Sequence, residues 1–193
     1  AQLIMHTEPK DPHGQDLEHI VNKLGLTDRQ VLFSTQKVAI EQMPMFYNLA
    51  DVTVNISDAE GFGLATLESL SCGTPIIATM TGGLQEQVVG SLGMNGIGLY
   101  PSSKAVIGSQ QVPYIYEDRI SKKAFMAALD QMYDGGEEFR KELGDNGRKH
   151  VLDNYNFETF NERWVNLMLN IHEEEGSWET RKGYSSITFK EVA

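Results

Sequence analysis

The sequence is poor in cysteine and in long apolar runs. Its single cysteine, Cys72, cannot form a disulfide within the chain, and the first residues do not have the composition of a signal peptide. We therefore expect a protein of the reducing cytoplasm. No apolar run approaches the ~20 residues that a membrane-spanning helix needs, so we expect no membrane span.

Basic residues are also scarce. The 193 residues include 16 lysines and arginines against 27 aspartates and glutamates, which gives a formal net charge of -11. Such a charge repels nucleic acid and anionic membranes, so neither is an expected partner. The five histidines show no pair at the spacing of a compact metal site, and one cysteine adds no cluster. We expect no metal cofactor.

The chain does contain a regular alternation of short apolar runs and longer segments of helical period. This alternation is typical of an α/β fold in which helices flank a parallel sheet, and a chain of this length fits one ordinary domain. The predicted strands are residues 2–6, 31–34, 52–57 and 76–79. The predicted helices are 17–24, 43–50, one that begins near residue 63 and one that begins at residue 84.

Residues 90–118 break this alternation. They are rich in glycine, serine and proline and predict a long loop, which in a compact domain is either functional or a simple surface excursion. In the second case Tyr114, Ile115 and Tyr116 would hold the loop against the protein.

Three further helices are predicted after this loop. One is capped by Ser121, one covers 137–152, and one is capped by Asn156 and carries an apolar stripe that we expect to pack on the protein. The stripe consists of Phe160, Trp164, Leu167, Met168 and Ile171. Residues 173–193 form a tail, and the sequence does not distinguish a docked tail from a disordered one.

The stretch EGFGLATLE, from Glu60 to Glu68, combines two carboxylates with a glycine-rich turn. Drawn as a helix from Gly63 at ~100° per residue, it places Glu68 in the middle of an apolar arc. The arc consists of Leu64, Ala65, Leu67, Leu70 and Cys72. Burying an unpaired carboxylate is strongly unfavourable, so the sequence predicts that Glu68 has a partner.

A strand, a turn with Gly61 and Gly63, and a helix that starts at the turn together predict an anion site, because the first amides of a helix are unpaired and carry partial positive charge. Glu68 lies about 8 Å along the helix from that start. This separation suits a nucleoside diphosphate whose ribose diol is gripped by the carboxylate. Glu60 would then face the sugar. The alternatives are a surface lysine paired with Glu68 and an ordinary loop acid at Glu60.

Residues 50–88 carry several such features in order. They are Ala50-Asp51 before a strand, two glutamates separated by seven residues, the EGFG turn, a CGTP helix exit, and Gly82-Gly83 followed by Glu86. This combination resembles the donor-binding domain of group-one glycosyltransferases, the retaining enzymes of GT-B fold that include sucrose- and glycogen-synthase-like proteins. The resemblance is tight over these residues and loose over 1–171.

The resemblance implies a hexosyltransferase that moves a sugar from a nucleoside diphosphate, UDP or GDP, to an acceptor hydroxyl with retention and without an essential metal. Glu68 is similar to the glutamate that holds the nucleotide ribose, and Glu60 to the one that contacts the sugar. The implied donor-binding residues are Gly61, Phe62, Gly63, Leu64, Glu68, Gly82, Gly83 and Glu86, and the implied catalytic residue is Glu60.

The chain also departs from the family pattern. The resemblance implies that 1–172 is a Rossmann-like donor domain, the C-terminal half of a GT-B enzyme, that lacks its first strand and helix and the two cations they carry. Lys10, Lys37 and Arg119 are conceivable substitutes, although surface charges are the simpler interpretation. We therefore expect a fragment or half of a split enzyme that needs an N-terminal acceptor domain.

Two rival functions remain open from the sequence. A module of the same fold could bind nucleotides without catalysis and act as a regulatory or scaffolding subunit. A dinucleotide oxidoreductase is the other rival, but no GxGxxG follows the first strand.

Overall fold

The computed structural model describes residues 1–12 and 14–183. The chain divides into two compact units, Ala1–Met43 and Pro44–Ala193. Of the predicted tail, residues 184–193 lie outside the described residues.

The first unit is a strand-helix-strand segment. Strand β1 (Leu3–His6) pairs in parallel with β2 (Val31–Ser34), and helix α1 (Leu17–Lys23) connects them. Asp16 caps α1, because its carboxylate accepts a hydrogen bond from the His19 amide at 2.8 Å. A short 3-10 helix, Ile40–Gln42, closes the segment. The two strands and α1 agree with the predicted elements to within one residue at each end, whereas the 3-10 helix was not predicted.

The second unit contains most of the regular structure. Its strands are β3 (Thr53–Asn55), β4 (Ile76–Thr79), β5 (Val89–Gly90), β6 (Gly93–Met94), β7 (Gly96–Leu99), β8 (Ser103–Ile107) and β9 (Ile115–Arg119). The helices are α2 (Met43–Leu49), which begins at the junction of the two units, α3 (Leu64–Ser71), α4 (Leu84–Val88), α5 (Lys122–Asp134), α6 (Gly136–Asn154) and α7 (Phe157–Glu175).

A parallel sheet of order β3-β4-β7 forms the centre of this unit. Every residue of β4 is buried, and alternate side chains of the strand enter two apolar clusters. Ile76 and Ala78 pack with Leu70 of α3 and with α4, whereas Ile77 packs against α5 and α6. The sheet thus has helices on both faces, which confirms the predicted α/β class.

Residues 90–118 are not one loop, so that prediction is wrong. Strand β7 is the third strand of the parallel sheet, and β8 and β9 form an antiparallel hairpin. The glycines of β7, Gly96 and Gly98, resemble loop residues in the sequence, but in the structure close packing against β4 and Met80 requires them. A Cβ at Gly96 would lie 2.0 Å from the carbonyl oxygen of Ile76, and one at Gly98 would lie 2.5 Å from the Met80 sulfur.

The β8-β9 hairpin is held at its base rather than by its aromatic residues. Tyr114 and Tyr116 are 76% and 61% exposed, so they do not hold the segment against the protein. Instead, the Asp118 amide donates to the carbonyl oxygen of Asp58 at 2.8 Å, and the Arg119 guanidinium lies 2.9 Å from the Asp58 carboxylate.

The caps of the last helices agree with the prediction. The Ser121 hydroxyl accepts from the Ala124 amide at 3.1 Å, and the Asn156 side-chain oxygen accepts from the Thr159 amide at 2.7 Å. The predicted packing of the α7 stripe is wrong for the described residues, since α7 has no buried residue and Trp164 is 47% exposed. Periodicity identified the apolar face of this helix but not what covers it.

Candidate donor-binding site

Two glycine turns meet at the carboxyl ends of the neighbouring strands β3 and β4. The first turn is Glu60 to Gly63 and the second is Gly82-Gly83. The Gly83 amide donates to the carbonyl oxygen of Gly61 at 3.0 Å. Gly82 has a φ of +49°, and a Cβ there would lie 1.7 Å from the carbonyl oxygen of Glu60. Only glycine permits this approach, so the structure brings together the two turns that the sequence predicted.

Helix α3 begins directly at the first turn. Gly63 caps it with a φ of +89°, and a Cβ there would lie 2.5 Å from a methyl group of Leu84. Because glycine has no side chain, Gly63 makes no side-chain hydrogen bond to the first amides of α3. Such a helix start offers unpaired N–H groups and partial positive charge to an anion.

Glu68 does not lie on the core face of α3, so that prediction is wrong. Its side chain is exposed, and so is Leu64, which is 69% exposed. The core face instead carries Thr66, Ser69 and Leu70, each 0% exposed. At ~100° per residue this face is nearly opposite Glu68. The apolar pattern misplaced the buried face because two of the buried residues are polar.

Hydrogen bonds explain why polar residues tolerate this burial. The Thr66 hydroxyl lies 2.6 Å from Oε1 of Gln87 and 2.8 Å from the carbonyl oxygen of Gly63. The Ser69 hydroxyl lies 2.8 Å from the Thr53 hydroxyl and 3.0 Å from the carbonyl oxygen of Thr74. A buried polar group that is paired in this way does not destabilise the fold.

Glu68 does have a partner, which is Tyr47 of α2. The Tyr47 hydroxyl donates to Oε2 of Glu68 at 2.7 Å. Burial raises the pKa of Tyr47, and the hydrogen bond and charge of Glu68 raise it further, so the phenol stays protonated and acts as a donor. No lysine or arginine pairs with Glu68 in the part of the chain that the structure describes.

The remaining predicted residues surround the two turns. Glu60 is half-buried, and Phe62 packs edge-on against Tyr155 with ring centroids 5.6 Å apart. Glu86 is exposed on α4. Burial raises the pKa of Tyr155, and the negative charge of Glu86 raises it further. Tyr155 therefore lies close to both turns.

A buried glutamine links the two turns from below. Gln87 of α4 is 0% exposed, and its Nε2 donates to the carbonyl oxygens of Phe62 at 2.6 Å and Gly63 at 3.0 Å. Its side-chain oxygen Oε1 accepts from the Thr66 hydroxyl at 2.6 Å, and its backbone carbonyl oxygen accepts from the Asn95 side chain at 2.9 Å. Every polar atom of this side chain is thus engaged with the first turn or the start of α3.

Comparison with known proteins identifies the family. The sequence model of the family described as "Glycosyl transferases group 1" matches residues 10–150. The chain belongs to this family. It is 38% identical over 93 residues to a D-inositol 3-phosphate glycosyltransferase of Paenarthrobacter aurescens, which covers 47% of this chain and 22% of the relative.

Two further comparisons cover more of this glycosyltransferase-family chain. It is 27% identical over 158 residues to the MMP alpha-(1->4)-mannosyltransferase of Mycolicibacterium hassiacum, which covers 82% of this chain and 32% of the relative. Sucrose-phosphate synthase from Thermosynechococcus elongatus superimposes with a TM-score of 0.65 at 26% identity, over 89% of this chain and 38% of that one. These results confirm the predicted family and fold. The chain spans between a fifth and a third of the length of these curated relatives.

Two of the three cations suggested as phosphate ligands in this group 1 glycosyltransferase chain are already paired. Arg119 lies 2.9 Å from the Asp58 carboxylate and 2.8 Å from that of Glu117. Lys10 lies 2.7 Å from the Glu18 carboxylate. These ion pairs favour the simpler interpretation of Lys10 and Arg119 as surface charges.

Sequence reasoning missed Tyr47, Gln87 and Tyr155. Tyr47 and Glu68 are 21 residues apart on different helices, and no periodicity connects them. Gln87 lies shortly after the Gly82-Gly83 turn of the family pattern. The signal that could have identified it is a polar residue on the apolar face of a helix, between Leu84 and Val88. Among the described residues no cluster of three metal-ligating side chains occurs, and no described helix combines the length and apolarity of a membrane span.

Proposed function

We propose that this chain is the donor-binding part of a hexosyltransferase that uses a nucleoside-diphosphate sugar, UDP- or GDP-linked, and transfers the sugar with retention to an acceptor hydroxyl. The observation that carries the proposal is the contact between the two glycine turns at the start of α3, with Glu68 exposed further along that helix. In open α/β sheets, ligands bind beyond the carboxyl ends of the strands.

Each residue has a distinct role in this proposal. The outward amides at the start of α3 bind the diphosphate and stabilise the negative charge that develops on it as the glycosidic bond breaks. Glu68, held by Tyr47, accepts hydrogen bonds from the ribose hydroxyls. Glu60 orients the sugar at the first turn, and Gly82-Gly83 let the two turns lie close enough to form one wall.

The reaction needs more than this chain supplies. Arg119 is neutralised by two carboxylates, so a cation for the departing diphosphate would come from another segment. The relatives are three to five times longer than the matched regions, and we propose that a further domain binds the acceptor and closes over the donor to exclude water. The names of the relatives suggest a phosphorylated polyol or a sugar as acceptor.

Isothermal titration tests the donor site directly. UDP or GDP should bind the wild type, and Glu68→Ala should weaken the affinity at least ~10-fold because two charge-assisted hydrogen bonds are lost. Glu142→Ala, an exposed glutamate of α6, is the matched control and should bind normally. We propose that no metal takes part, so EDTA should leave the affinity unchanged. Equal affinity of the Glu68 variant and the wild type would contradict the proposal.

A nucleotide-binding module without catalysis is the second candidate. The pairing of Arg119 with Asp58 and Glu117 favours it, because no free cation at this position would stabilise a leaving group. The two candidates differ when the chain is joined to an acceptor domain of a relative and the release of nucleoside diphosphate from a donor sugar is measured. Release supports the transferase, and donor binding without release supports the module.

A further inference from the structure

The Gln87 side chain is a polar group on the buried face of α4, beside Leu84 and Val88. It is 0% exposed, yet its amide makes three hydrogen bonds, all to residues 62–66. A primary amide offers two donors and one acceptor site that match this set of partners. A methionine of similar length would leave the Phe62 carbonyl oxygen without its donor, whereas the Gly63 oxygen would keep the Leu67 amide and the Thr66 hydroxyl. A glutamate would place a negative oxygen against both carbonyl groups.

Gln87 holds the Phe62 carbonyl group, and together with the Leu67 amide it holds the Gly63 carbonyl group, so it helps to fix the direction of two backbone amides. In a planar trans peptide the carbonyl oxygen of one residue and the N–H of the next point in opposite directions. Since the carbonyl groups of Phe62 and Gly63 point inward to Nε2, the N–H groups of Gly63 and Leu64 point away from the core. Neither N–H donates to a protein acceptor within residues 1–12 and 14–183.

We infer that Gln87 is a positioning residue that aims the amides of Gly63 and Leu64 at the diphosphate of the donor. This inference rests on the proposed function of the site. Gln87 itself does not touch the ligand. It sets the direction of the donors before binding, which removes the need to reorganise the turn when the diphosphate arrives.

The first test compares a diphosphate with its nucleoside. UDP, GDP, uridine and guanosine are titrated into the wild type, Gln87→Met and the control Gln131→Met, an exposed glutamine of α5. Gln87→Met should weaken diphosphate binding at least ~10-fold and change nucleoside binding less than ~2-fold, because only the phosphates face the two amides. A folded Gln87→Met protein that binds the diphosphate like the wild type would overturn the inference.

The second test uses Gln87→Glu and a pH series. A carboxyl buried against two carbonyl oxygens has a raised pKa, and its neutral form can donate one hydrogen bond to Phe62. The affinity of this variant for the diphosphate should therefore improve as the pH falls from about 8 to about 5.5, relative to the wild type. The wild-type profile corrects for Glu60, Glu68, Glu86 and Tyr155, which surround the two turns. Parallel profiles would contradict the role of Gln87.

A third measurement does not depend on any ligand. Hydrogen exchange and amide chemical shifts of Gly63 and Leu64 should differ between the wild type and Gln87→Met and stay the same in Gln131→Met. If the wild type binds no nucleotide, the proposed function fails. The exchange rates and chemical shifts of the two amides would still show whether Gln87 orients them. Unchanged exchange at both amides would overturn the inference even if nucleotides bind.

Discussion

Tyr47 connects the exposed carboxylate of Glu68 to the packed part of the molecule. Its hydroxyl occupies Oε2, and in our proposal Oε1 accepts a hydrogen bond from the ligand. A single hydrogen bond to a charged group contributes about 1.5–3 kcal/mol, so its loss should loosen the carboxylate noticeably. Because the ribose hydroxyls in our proposal meet this carboxylate, the orientation that Tyr47 provides is part of the site.

Replacement of Tyr47 tests this connection through pH. Burial and the Glu68 contact raise the pKa of Tyr47 above the roughly 10 of a free tyrosine, so its contribution to stability is complete below about pH 10 and is lost as the pH rises further. The free energy of unfolding of the wild type, measured in urea, should therefore fall more steeply than that of Tyr47→Phe as the pH rises above about 10.

The control for this prediction is Tyr133→Phe, since Tyr133 is 79% exposed and should keep the wild-type slope. Some slope should persist in Tyr47→Phe, because the pKa of Tyr155 is raised as well. The same variant should bind UDP or GDP about 3- to 10-fold more weakly at pH 7 because the carboxylate loses its donor. Identical stability slopes in Tyr47→Phe and the wild type would contradict the assignment.

Residue identities at the site were more predictable than residue environments. The ordered pattern from Ala50 to Glu86 was enough to recognise the family. The prediction that Glu68 is buried was wrong. A hydrophobicity pattern does not show that Thr66 and Ser69 are buried with their hydroxyl groups hydrogen-bonded, or that Leu64 is exposed. The roles of Glu60 and Glu68 toward a ligand stay predictions.

At the scale of elements, the contact between the two glycine turns is the feature most sensitive to substitution. Gly82→Ala would place a Cβ 1.7 Å from the carbonyl oxygen of Glu60 in a backbone with positive φ. We expect it to lower the free energy of unfolding by at least about 2–4 kcal/mol, measured by chemical denaturation. Gly61→Ala is the matched control, because its Cβ would meet nothing within 4 Å. Similar losses in both variants would contradict this packing.

Local signals predicted all seven α-helices but only four of the nine strands of the described residues. Caps at Ser121 and Asn156 and the buried strand β4 agree with the structure because they depend on neighbouring residues alone. Strand β7 was missed because its glycines are required by Ile76 and Met80, which are distant in sequence. The packing of α7 was wrong for the same reason: a sequence pattern shows an apolar face but not the surface that covers it.

At the scale of the whole molecule, the negative net charge disfavours nucleic acid and anionic membranes as partners, and it also predicts how a donor approaches. A net charge of -11 repels an anionic diphosphate at long range, whereas the amides at the start of α3 attract it only nearby. We therefore expect UDP or GDP to bind the isolated chain about 2- to 5-fold more tightly at about 200 mM salt than at about 20 mM, because the repulsion is screened. Isothermal titration measures this, with uncharged uridine or guanosine as the ligand whose affinity should not change. Weaker diphosphate binding at high salt would instead indicate a cationic contact within this chain, and joining a domain that supplies such a cation should reverse the sign of the salt effect.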